Sequence, residues 1–350
     1  MPLTFEREII DKVQQVLLRA KNIVLVSHTN ADGDAVGSIL GMYHLLKNNM
    51  RGDQHYTMIL PNGCPFTFDF LPGASLILNA DSDRERCVSS FDRADLIIGV
   101  DFNDASRIGS LADTLREASA AKLLIDHHIN PDTTLFHTVV SQPQISATCE
   151  LLYWLGIALW GPEMLNHDAA MCLYNGIMTD TGSFAFSNNH PSVYEAAAHL
   201  VKYDINATDI HNKVMNSWSV NKMQFLGYCL DQRMHIFEEE GFAYIVISKN
   251  DMQRFNIQQP EVEGLVNYVM MLQKVEVGAL VKEYEPMAIR ISFRSKSDFN
   301  VQELARNYYG GGGHRKASGA TSNKDLDTTV QEMEAILRKE LAAFHQTQNR

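Results

Sequence analysis

Four short segments of the chain combine acids and histidines at spacings that suit metal binding: HTNADGD, VDFND, IDHH and MTDTGSF. Five aspartates and three histidines in them are candidates for chemistry: His28, Asp32, Asp34, Asp101, Asp126, His127, His128 and Asp180. Two carboxylates ~4 Å apart repel by about 4 kcal/mol at an effective dielectric constant of 20. Several such pairs would rival a folding stability of roughly 5 to 15 kcal/mol. If these side chains converge, their site must therefore bind cations or take up protons.

Oxygen ligands mixed with imidazoles are typical of Mn²⁺ or Mg²⁺ sites and are also compatible with Co²⁺ or Zn²⁺. A single ion does not use so many acids. Two ions about 3.5 to 4 Å apart, bridged by one carboxylate, would use them, and such a pair is the arrangement that promotes phosphoester hydrolysis. The residue types therefore indicate a two-metal hydrolase.

Each segment also has an explanation without a metal. The first could be a polar turn in which Asp34 caps a helix, and Asp180 could form an Asx turn. The pair of histidines in IDHH could lie on the surface or in a satisfied core, and Asp101 could be an ordinary acid at a strand end. Each of these explanations covers one segment only, whereas a metal site accounts for all four.

The acidic segments follow apolar runs that predict strands. These runs are NIVLVSH (22–28), YTMIL (56–60), DLIIGVD (95–101) and KLLIDHH (122–128). Nearly continuous apolar strands that alternate with helices indicate a mostly parallel, doubly wound α/β sheet covered on both faces. Ligands of such sheets bind beyond the carboxyl ends of the strands. We therefore predict the metal site at that edge.

The sequence pattern changes after a largely helical stretch. Further strands are predicted at 242–248, 274–284 and 287–295, and helices at 301–309 and 327–344. We predict a catalytic metal-binding domain at 1–203, a helical linker at 204–232 and a smaller α/β domain at 233–350. The active site is expected in the cleft between the two domains.

An anion-binding site is predicted in the second domain. The glycine run with Gly311, Gly312 and Gly313 lies between two predicted helices, and its backbone N–H groups could approach a phosphate closely. His314 follows the run directly. Arg294 could bind a phosphate through two parallel hydrogen bonds. A flexible turn and a solvated strand cation are the alternative explanations.

Composition limits the classes of partner. A chain of 350 residues with 45% hydrophobic content usually forms two domains. The net charge of −12 argues against coating long nucleic acid through a basic surface, but not against a small phosphate ligand. No apolar run approaches the ~18 residues of a membrane span, so we expect a cytoplasmic protein. The five scattered cysteines indicate reduced thiols rather than disulfides or a cysteine zinc site.

The four acidic segments resemble the motifs of the DHH phosphoesterases. EGLVNY (263–268), SFRSK (292–296) and GGGGHRKASG (310–319) resemble their companion DHHA1 domain. Within the family, the chain is most similar to the two-domain type that cleaves short oligoribonucleotides and dephosphorylates pAp. The resemblance implies that one ion is bound by His28, Asp32 and Asp101. It implies that the second is bound by Asp34, Asp101, His127 and Asp180, with Asp101 as the bridge.

The resemblance implies roles for the remaining residues as well. Asp126 would orient a neighbouring imidazole, and His128 would face the substrate phosphate, so that both act with Asp101 in catalysis. The implied substrate-binding residues are Arg294, Ser295, Gly311, Gly312, Gly313 and His314. Gly310 departs from the usual family pattern of three glycines, and it could shift the register of the anion site by one residue.

We therefore expect a two-metal phosphodiesterase and exoribonuclease that is also a 3′(2′),5′-bisphosphate nucleotidase, with Mn²⁺ as the metal and Mg²⁺ or Co²⁺ as alternatives. Its expected substrates are short RNA oligonucleotides, dinucleotides and pAp. Three other functions are compatible with the sequence: a hydrolase of cyclic or linear dinucleotides such as c-di-AMP, pApA and pGpG; an inorganic pyrophosphatase or exopolyphosphatase; and a nucleotide-binding regulator without catalysis. No membrane partner is expected, and the sequence leaves a homodimer open.

Overall fold

The structure, a computed structural model, describes residues 3–50, 52–185, 189–262 and 264–348. The chain divides into two compact units, Met1–Ser217 and Trp218–Arg350. This division lies within the stretch 204–232, for which the sequence predicts a helical linker. Each unit contains a six-stranded sheet. Among the described residues, no helix combines the length and the apolar character that crossing a bilayer requires.

The first unit is built on a parallel sheet with the strand order β3-β2-β1-β4-β5-β6. Its strands are β1 (Asn22–Val26), β2 (His55–Leu60), β3 (Leu78–Asn79), β4 (Leu96–Val100), β5 (Ala121–Asp126) and β6 (Thr138–Ser141). All residues of β4 are buried, because helices cover both faces of the sheet. The doubly wound fold predicted from the sequence is thus confirmed. The short strands β3 and β6 were not predicted, since neither contains an apolar run long enough to be recognised.

Eight helices surround this sheet in the described part of the first unit. They are α1 (Arg7–Arg19), α2 (Gly33–Asn49), α3 (Arg84–Asp92), α4 (Ala112–Glu117), α5 (Thr148–Trp160), α6 (His167–Asp180), α7 (Pro191–Leu200) and α8 (Ala207–Met215). Helices α3 and α4 share a core with one face of the sheet, and the other six share a core with the opposite face. Neighbouring residues of β1 point to different cores: Val24 points to the core shared with α3 and α4, and Ile23 points to the core shared with the other six helices. This alternation follows from the two-residue period of a strand.

Helices α2 and α6 lie very close together because α2 has glycines where it contacts α6. Gly33, Gly37 and Gly41 recur every four residues and therefore lie on one side of α2. A Cβ atom at Gly37 would lie only 2.7 Å from the backbone oxygen of Cys172 in α6. The close packing brings the C-terminal end of α6, where Asp180 lies, to the N-terminal end of α2.

The second unit has a mixed sheet with the order β11-β12-β10-β9-β8-β7, in which only the β8–β9 pair is parallel among the described strands. Its strands are β7 (Met234–Phe237), β8 (Phe242–Ile247), β9 (Val277–Glu285), β10 (Ala288–Ser295), β11 (Gly312–His314) and β12 (Ala317–Ser322). Its helices are α9 (Val220–Tyr228), α10 (Lys249–Phe255), α11 (Val266–Val269), α12 (Val301–Tyr309) and α13 (Leu326–Gln348). Helices α12 and α13 cover one face of the sheet, and α9 to α11 cover the other.

The glycine run 310–313 is not the loop between two helices that the sequence predicts. Gly310 ends α12 with a φ of 63°, and its N–H donates to the carbonyl oxygens of Ala305 and Arg306. From Gly312 the chain forms strand β11, which pairs with β12. A Cβ atom at Gly311 would lie 2.2 Å from the backbone oxygen of Gly319. Strand β11 was not predicted because glycine has a low strand propensity, whereas here its small size permits the close approach of β12.

Candidate metal centre

The predicted acids and histidines lie at one edge of the first sheet, where the strand order reverses between β1 and β4. His28 follows β1, Asp101 follows β4 and Asp126 is the last residue of β5. Such a reversal creates a crevice outside the carboxyl ends of the strands, which is a common ligand site in α/β proteins. The edge predicted from the sequence is therefore the edge at which the side chains meet.

Asp32 and Asp34 both lie at the start of α2 but have different partners. Asp32 is the N-cap of this helix and accepts hydrogen bonds from the N–H groups of Asp34 and Ala35 at 3.1 and 3.0 Å. The alternative in which Asp34 is the cap is therefore wrong. Asp34 is buried, and its two oxygens accept from the backbone N–H groups of Thr148 and Cys149 at 2.6 and 2.9 Å. Because the first N–H groups of a helix lack partners within the helix, Asp34 caps α5 from outside.

Asp101 occupies the centre of the cluster. Its Oδ2 lies 3.4 Å from Nε2 of His28, and its Oδ1 lies 3.6 Å from Nε2 of His127. Oδ1 also accepts a hydrogen bond from the hydroxyl of Thr148 at 2.9 Å. The φ of Asp101 is 62°, a left-handed conformation that is unfavourable for most residues other than glycine. The two oxygens of one carboxylate thus face two different groups of side chains.

Every predicted metal ligand belongs to a group of side chains whose ligand atoms lie within 4.8 Å of one another. The groups are His28, Asp32 and Asp101; Asp34, His127 and Asp180; and Asp101, His127 and His128. Asp101 and His127 each belong to two of these groups. Asp126 lies behind them, and its Oδ1 is 2.8 Å from Nδ1 of His128.

Backbone carbonyls fix the orientation of two imidazoles. Nδ1 of His28 lies 2.9 Å from the carbonyl oxygen of Thr29, and Nδ1 of His127 lies 3.1 Å from that of Ile145. A carbonyl can only accept, so Nδ1 is the donor in each case. Nε2 is then the nitrogen that faces the carboxylates, an arrangement in which imidazole binds metals.

Burial and mutual repulsion raise the pKa of two of the acids. Burial, reinforced by the nearby charges of Asp101 and Asp180, raises the pKa of Asp34 well above its ordinary value. Burial also raises the pKa of Asp180 to about 7, although His127 acts in the opposite direction. In the absence of a cation, the cluster therefore favours proton uptake by these carboxyl groups.

The imidazoles and Asp101 shift one another's pKa in the direction that favours their charged forms. Burial alone would lower the pKa of both histidines, but Asp101 and its neighbours raise it to about 8 for His28 and about 9 for His127. Burial alone would raise the pKa of Asp101, but the hydrogen bond and charge of His28, followed by the other imidazoles, lower it to about 2. Protonated imidazoles thus supply part of the positive charge that the acids require.

The donor set fits divalent cations. Within the described part of the chain, neither lysine nor arginine forms a salt bridge with any of the clustered aspartates. Asp126 is fully buried, and its Oδ2 has no hydrogen-bond partner among the residues that the structure describes. Carboxylate oxygens with imidazole Nε2 atoms are the ligands that Mn²⁺, Mg²⁺ and Co²⁺ accept. Thr148 was not predicted as a functional residue, because the sequence shows no sign that the first residue of α5 reaches this edge.

The predicted anion-binding residues lie in the second unit. His314 of β11 pairs with Ala317 of β12, which in turn pairs with Arg294 of β10. Directly opposite residues in antiparallel strands point to the same face of the sheet, so Arg294 and His314 share a face with only a small side chain between them. Ser295 points to the other face, and its hydroxyl donates to the carbonyl oxygen of Ser297 at 3.1 Å.

The glycines beside this row differ in their surroundings. A Cβ atom at Gly313 would lie 2.7 Å from the backbone oxygen of Ala317, whereas one at Gly312 would have no neighbour within 4 Å in the described parts of the chain. Gly311 and Gly313 therefore allow β11 to pack on β12, and Gly312 faces open space. Gly312, Gly313 and His314 thus lie in the edge strand β11, whereas Arg294 and Ser295 lie in β10, with β12 between the two strands.

Residues 22–177 match the sequence model of the DHH family N-terminal domain, and residues 240–342 match that of the DHHA1 domain. The chain is 29% identical over 326 residues to the bifunctional oligoribonuclease and PAP phosphatase NrnA of Bacillus subtilis, with 91% of this chain and 95% of that protein covered.

Two solved structures share the fold. An exopolyphosphatase-related protein from Bacteroides fragilis is 32% identical, with 97% of this chain and 99% of that chain covered, at a TM-score of 0.92. RecJ from Thermus thermophilus, in complex with Mn²⁺, is 15% identical, with 98% of this chain and 56% of that chain covered, at a TM-score of 0.56. With a DHH domain, a DHHA1 domain and a relative alike over almost the entire length, the chain belongs to the DHH/DHHA1 phosphoesterases, a family of metal-dependent hydrolases.

Proposed function

We propose that the chain is a two-metal phosphoesterase that hydrolyses short oligoribonucleotides to mononucleotides and removes the 3′-phosphate of pAp. The observation that carries this proposal is the position of Asp101, whose two oxygens face different groups of ligand atoms. A carboxylate placed in this way is suited to bridge two ions. The name of the Bacillus subtilis relative, an oligoribonuclease and PAP phosphatase, supports the choice of substrates.

The groups of neighbouring side chains support the assignment of the metal ligands. We assign His28, Asp32 and Asp101 to one ion, and Asp34, Asp101, His127 and Asp180 to the other. Mn²⁺ is our first choice because the donors are oxygens and imidazoles, with Mg²⁺ and Co²⁺ as alternatives. When bound, two such ions neutralise charge on a phosphoryl group and lower the pKa of an attacking water.

His128 is the residue that we assign to the substrate phosphate. Its Nδ1 lies 2.8 Å from Oδ1 of the fully buried Asp126, so this acid fixes the plane and direction of the ring. Nε2 is then the ring nitrogen that we assign to a phosphoryl oxygen. In this proposal Asp126 acts as a positioning residue, because it touches the imidazole and not the ligand atoms of the ions.

The second unit would supply the groups that recognise the substrate. Arg294 and His314 lie in one cross-strand row on the same face of the sheet. Nη1 of Arg294 donates to the carbonyl oxygen of Phe293 at 3.0 Å, which restricts the guanidinium group. We propose that this row binds a terminal phosphate, with the edge strand from Gly311 to His314 beside it. Recognition of a chain end would explain a preference for short substrates.

A panel of hydrolysis reactions tests the proposal. The chain is stripped of metal, supplied with Mn²⁺ and given RNA of two to about ten nucleotides, pAp, pApA, pGpG, c-di-AMP, pyrophosphate and polyphosphate in parallel. We expect Mn²⁺-dependent release of mononucleotides from the shortest RNAs and of phosphate from pAp.

The other outcomes identify the alternative functions. Faster turnover of polyphosphate would contradict the proposal and favour the activity suggested by the name of the Bacteroides fragilis protein. Preference for a cyclic or linear dinucleotide would identify a dinucleotide hydrolase. Tight binding of a dinucleotide that is never cleaved with Mn²⁺ present would identify a regulator without catalysis.

A further inference from the structure

Thr148, the first residue of α5, contacts both of the buried acids that face the imidazoles. Its hydroxyl donates to Oδ1 of Asp101 at 2.9 Å, and its backbone N–H donates to Oδ2 of Asp34 at 2.6 Å. Thr148 itself is fully buried. A single residue therefore connects the acid that follows β4 with the acid at the start of α2.

The two contacts depend on different atoms of Thr148. The bond to Asp34 comes from the backbone and survives any substitution other than proline. The bond to Asp101 comes from the hydroxyl and is lost when that group is removed. A carboxylate oxygen has two lone pairs, so Oδ1 of Asp101 can accept the hydroxyl and still bind a cation.

The orientation of Asp101 requires a fixed partner. Its backbone has left the regular strand geometry, with a φ of 62°, and its side chain must direct one oxygen to His28 and the other to His127. A hydroxyl donor on Oδ1 restricts rotation of the carboxylate. This restriction serves the binding of divalent cations.

A buried acid holds Thr148 in place. Glu150, the third residue of α5, is fully buried and accepts hydrogen bonds from the N–H of Ser146 at 3.2 Å and from the hydroxyl of Ser146. Its other oxygen accepts from the hydroxyl of Ser192 in α7 at 2.6 Å. The segment that leads into α5 is thereby tied to two helices, so the hydroxyl of Thr148 has a defined position.

We propose that Thr148 is a positioning residue whose hydroxyl orients Asp101 and thereby sets the affinity of the cluster for divalent cations. The inference rests on the metal centre of the proposed function. It does not depend on which phosphoester is the substrate.

The test compares variants that separate the hydroxyl from the shape of the side chain. Thr148→Val keeps the branched shape and the backbone N–H, whereas Thr148→Ser keeps the hydroxyl. Mn²⁺ is titrated calorimetrically into the metal-free full-length chain. We expect Thr148→Val to weaken Mn²⁺ binding by about 10- to 100-fold, as is typical for groups that orient metal ligands, and Thr148→Ser to retain most of the affinity.

Each result distinguishes an orienting role of the hydroxyl from a purely structural role of Thr148. Normal Mn²⁺ binding by Thr148→Val would overturn the inference and leave the metal centre intact. Binding by Thr148→Ser as weak as that by Thr148→Val would also overturn it, because a structural role would then explain both. Absence of Mn²⁺ binding by the unaltered chain would overturn the metal centre as well. Thr148→Ala provides the same comparison if the valine variant does not fold.

Discussion

The two candidate sites are held together by different means. In the first unit, Asp34, Asp101 and Asp126 are buried, come from distant segments and are fixed by helix N–H groups, a hydroxyl and an imidazole. In the second unit, Arg294 and His314 come from strands of one sheet and are aligned by backbone pairing. The acid cluster therefore depends on its counter-charge, whereas the cross-strand row depends on its register alone. Substitutions should therefore have different consequences in the two places.

The largest effect is expected for Asp101→Ala. Removal of the carboxylate that faces both ligand groups should abolish binding of both ions. Because stabilisation of transition-state charge by metals is worth several kcal/mol, and 1.36 kcal/mol is tenfold in rate, we expect a loss of activity of at least about 10²- to 10³-fold. Metal analysis of the purified variant and its turnover of an RNA dinucleotide are the measurements.

The control for this variant is Asp113→Ala, which removes an exposed acid on α4 that pairs only with Arg116 among the described residues. It should keep full metal content and activity. Near-normal turnover by Asp101→Ala would show that the bridging assignment is wrong.

A smaller effect, confined to the substrate, is expected for Arg294→Ala. Loss of a bidentate phosphate contact should raise KM by about 10- to 100-fold, since hydrogen bonds to charged groups contribute about 1.5 to 3 kcal/mol. His314→Ala should raise KM for the shortest substrates in the same manner. Neither change should alter Mn²⁺ content, because both residues lie in the second unit.

Arg290→Ala is the matched control for Arg294→Ala. Arg290 lies four residues earlier on the same strand and the same face, with its guanidinium group over the ring of Tyr284. Arg290→Ala should leave KM unchanged. An equal rise in KM for both variants would indicate general electrostatic attraction rather than a specific phosphate site.

The difference between the acid cluster and the cross-strand row also explains how much of each site the sequence could predict. The apolar runs before His28, Asp101 and Asp126 fix these residues at strand ends, so their convergence followed from the topology of a parallel sheet. The partner of Asp34 could not be predicted, because the N-terminal end of α5 reaches it only through tertiary packing. Strand β11 could not be predicted either, since its formation depends on pairing with β12 and not on local propensity.

The charge balance of the first unit predicts a pH dependence of the metal-free chain. The pKa of Asp180 is about 7 rather than 3.8, so between these values the folded chain retains a proton that the unfolded chain has lost, and stability falls as pH rises. The pKa of His127 is about 9 rather than 6.5, so its contribution is complete below 6.5 and is lost as pH rises through 9. Both groups act in the same direction.

Mn²⁺ should reverse this trend, because its binding requires ionised carboxylates and neutral imidazoles. We expect the difference in Tm between the chain with and without Mn²⁺ to widen by several degrees from pH 5 to pH 9. Each tenfold gain in affinity adds about 1.4 kcal/mol at saturating metal. A constant difference in differential scanning calorimetry over this range would contradict the protonation of the cluster, and Asp101→Ala should show no difference at any pH.

The smallest effect is expected from a methyl group added to two helical glycines, one in each unit. At Gly37 the new Cβ would lie 2.7 Å from the backbone oxygen of Cys172, so Gly37→Ala should lower stability by about 1 to 3 kcal/mol, as overpacking does. At Gly227 in α9 the new Cβ would have no neighbour within 4 Å outside the backbone of the helix itself, counting the described residues, so Gly227→Ala should raise stability by up to about 1 kcal/mol. The free energy of unfolding in urea measures both. Because α6 carries Asp180, Gly37→Ala should also weaken Mn²⁺ binding, and stabilisation by both variants would show that the packing of α2 on α6 does not hold the cluster together.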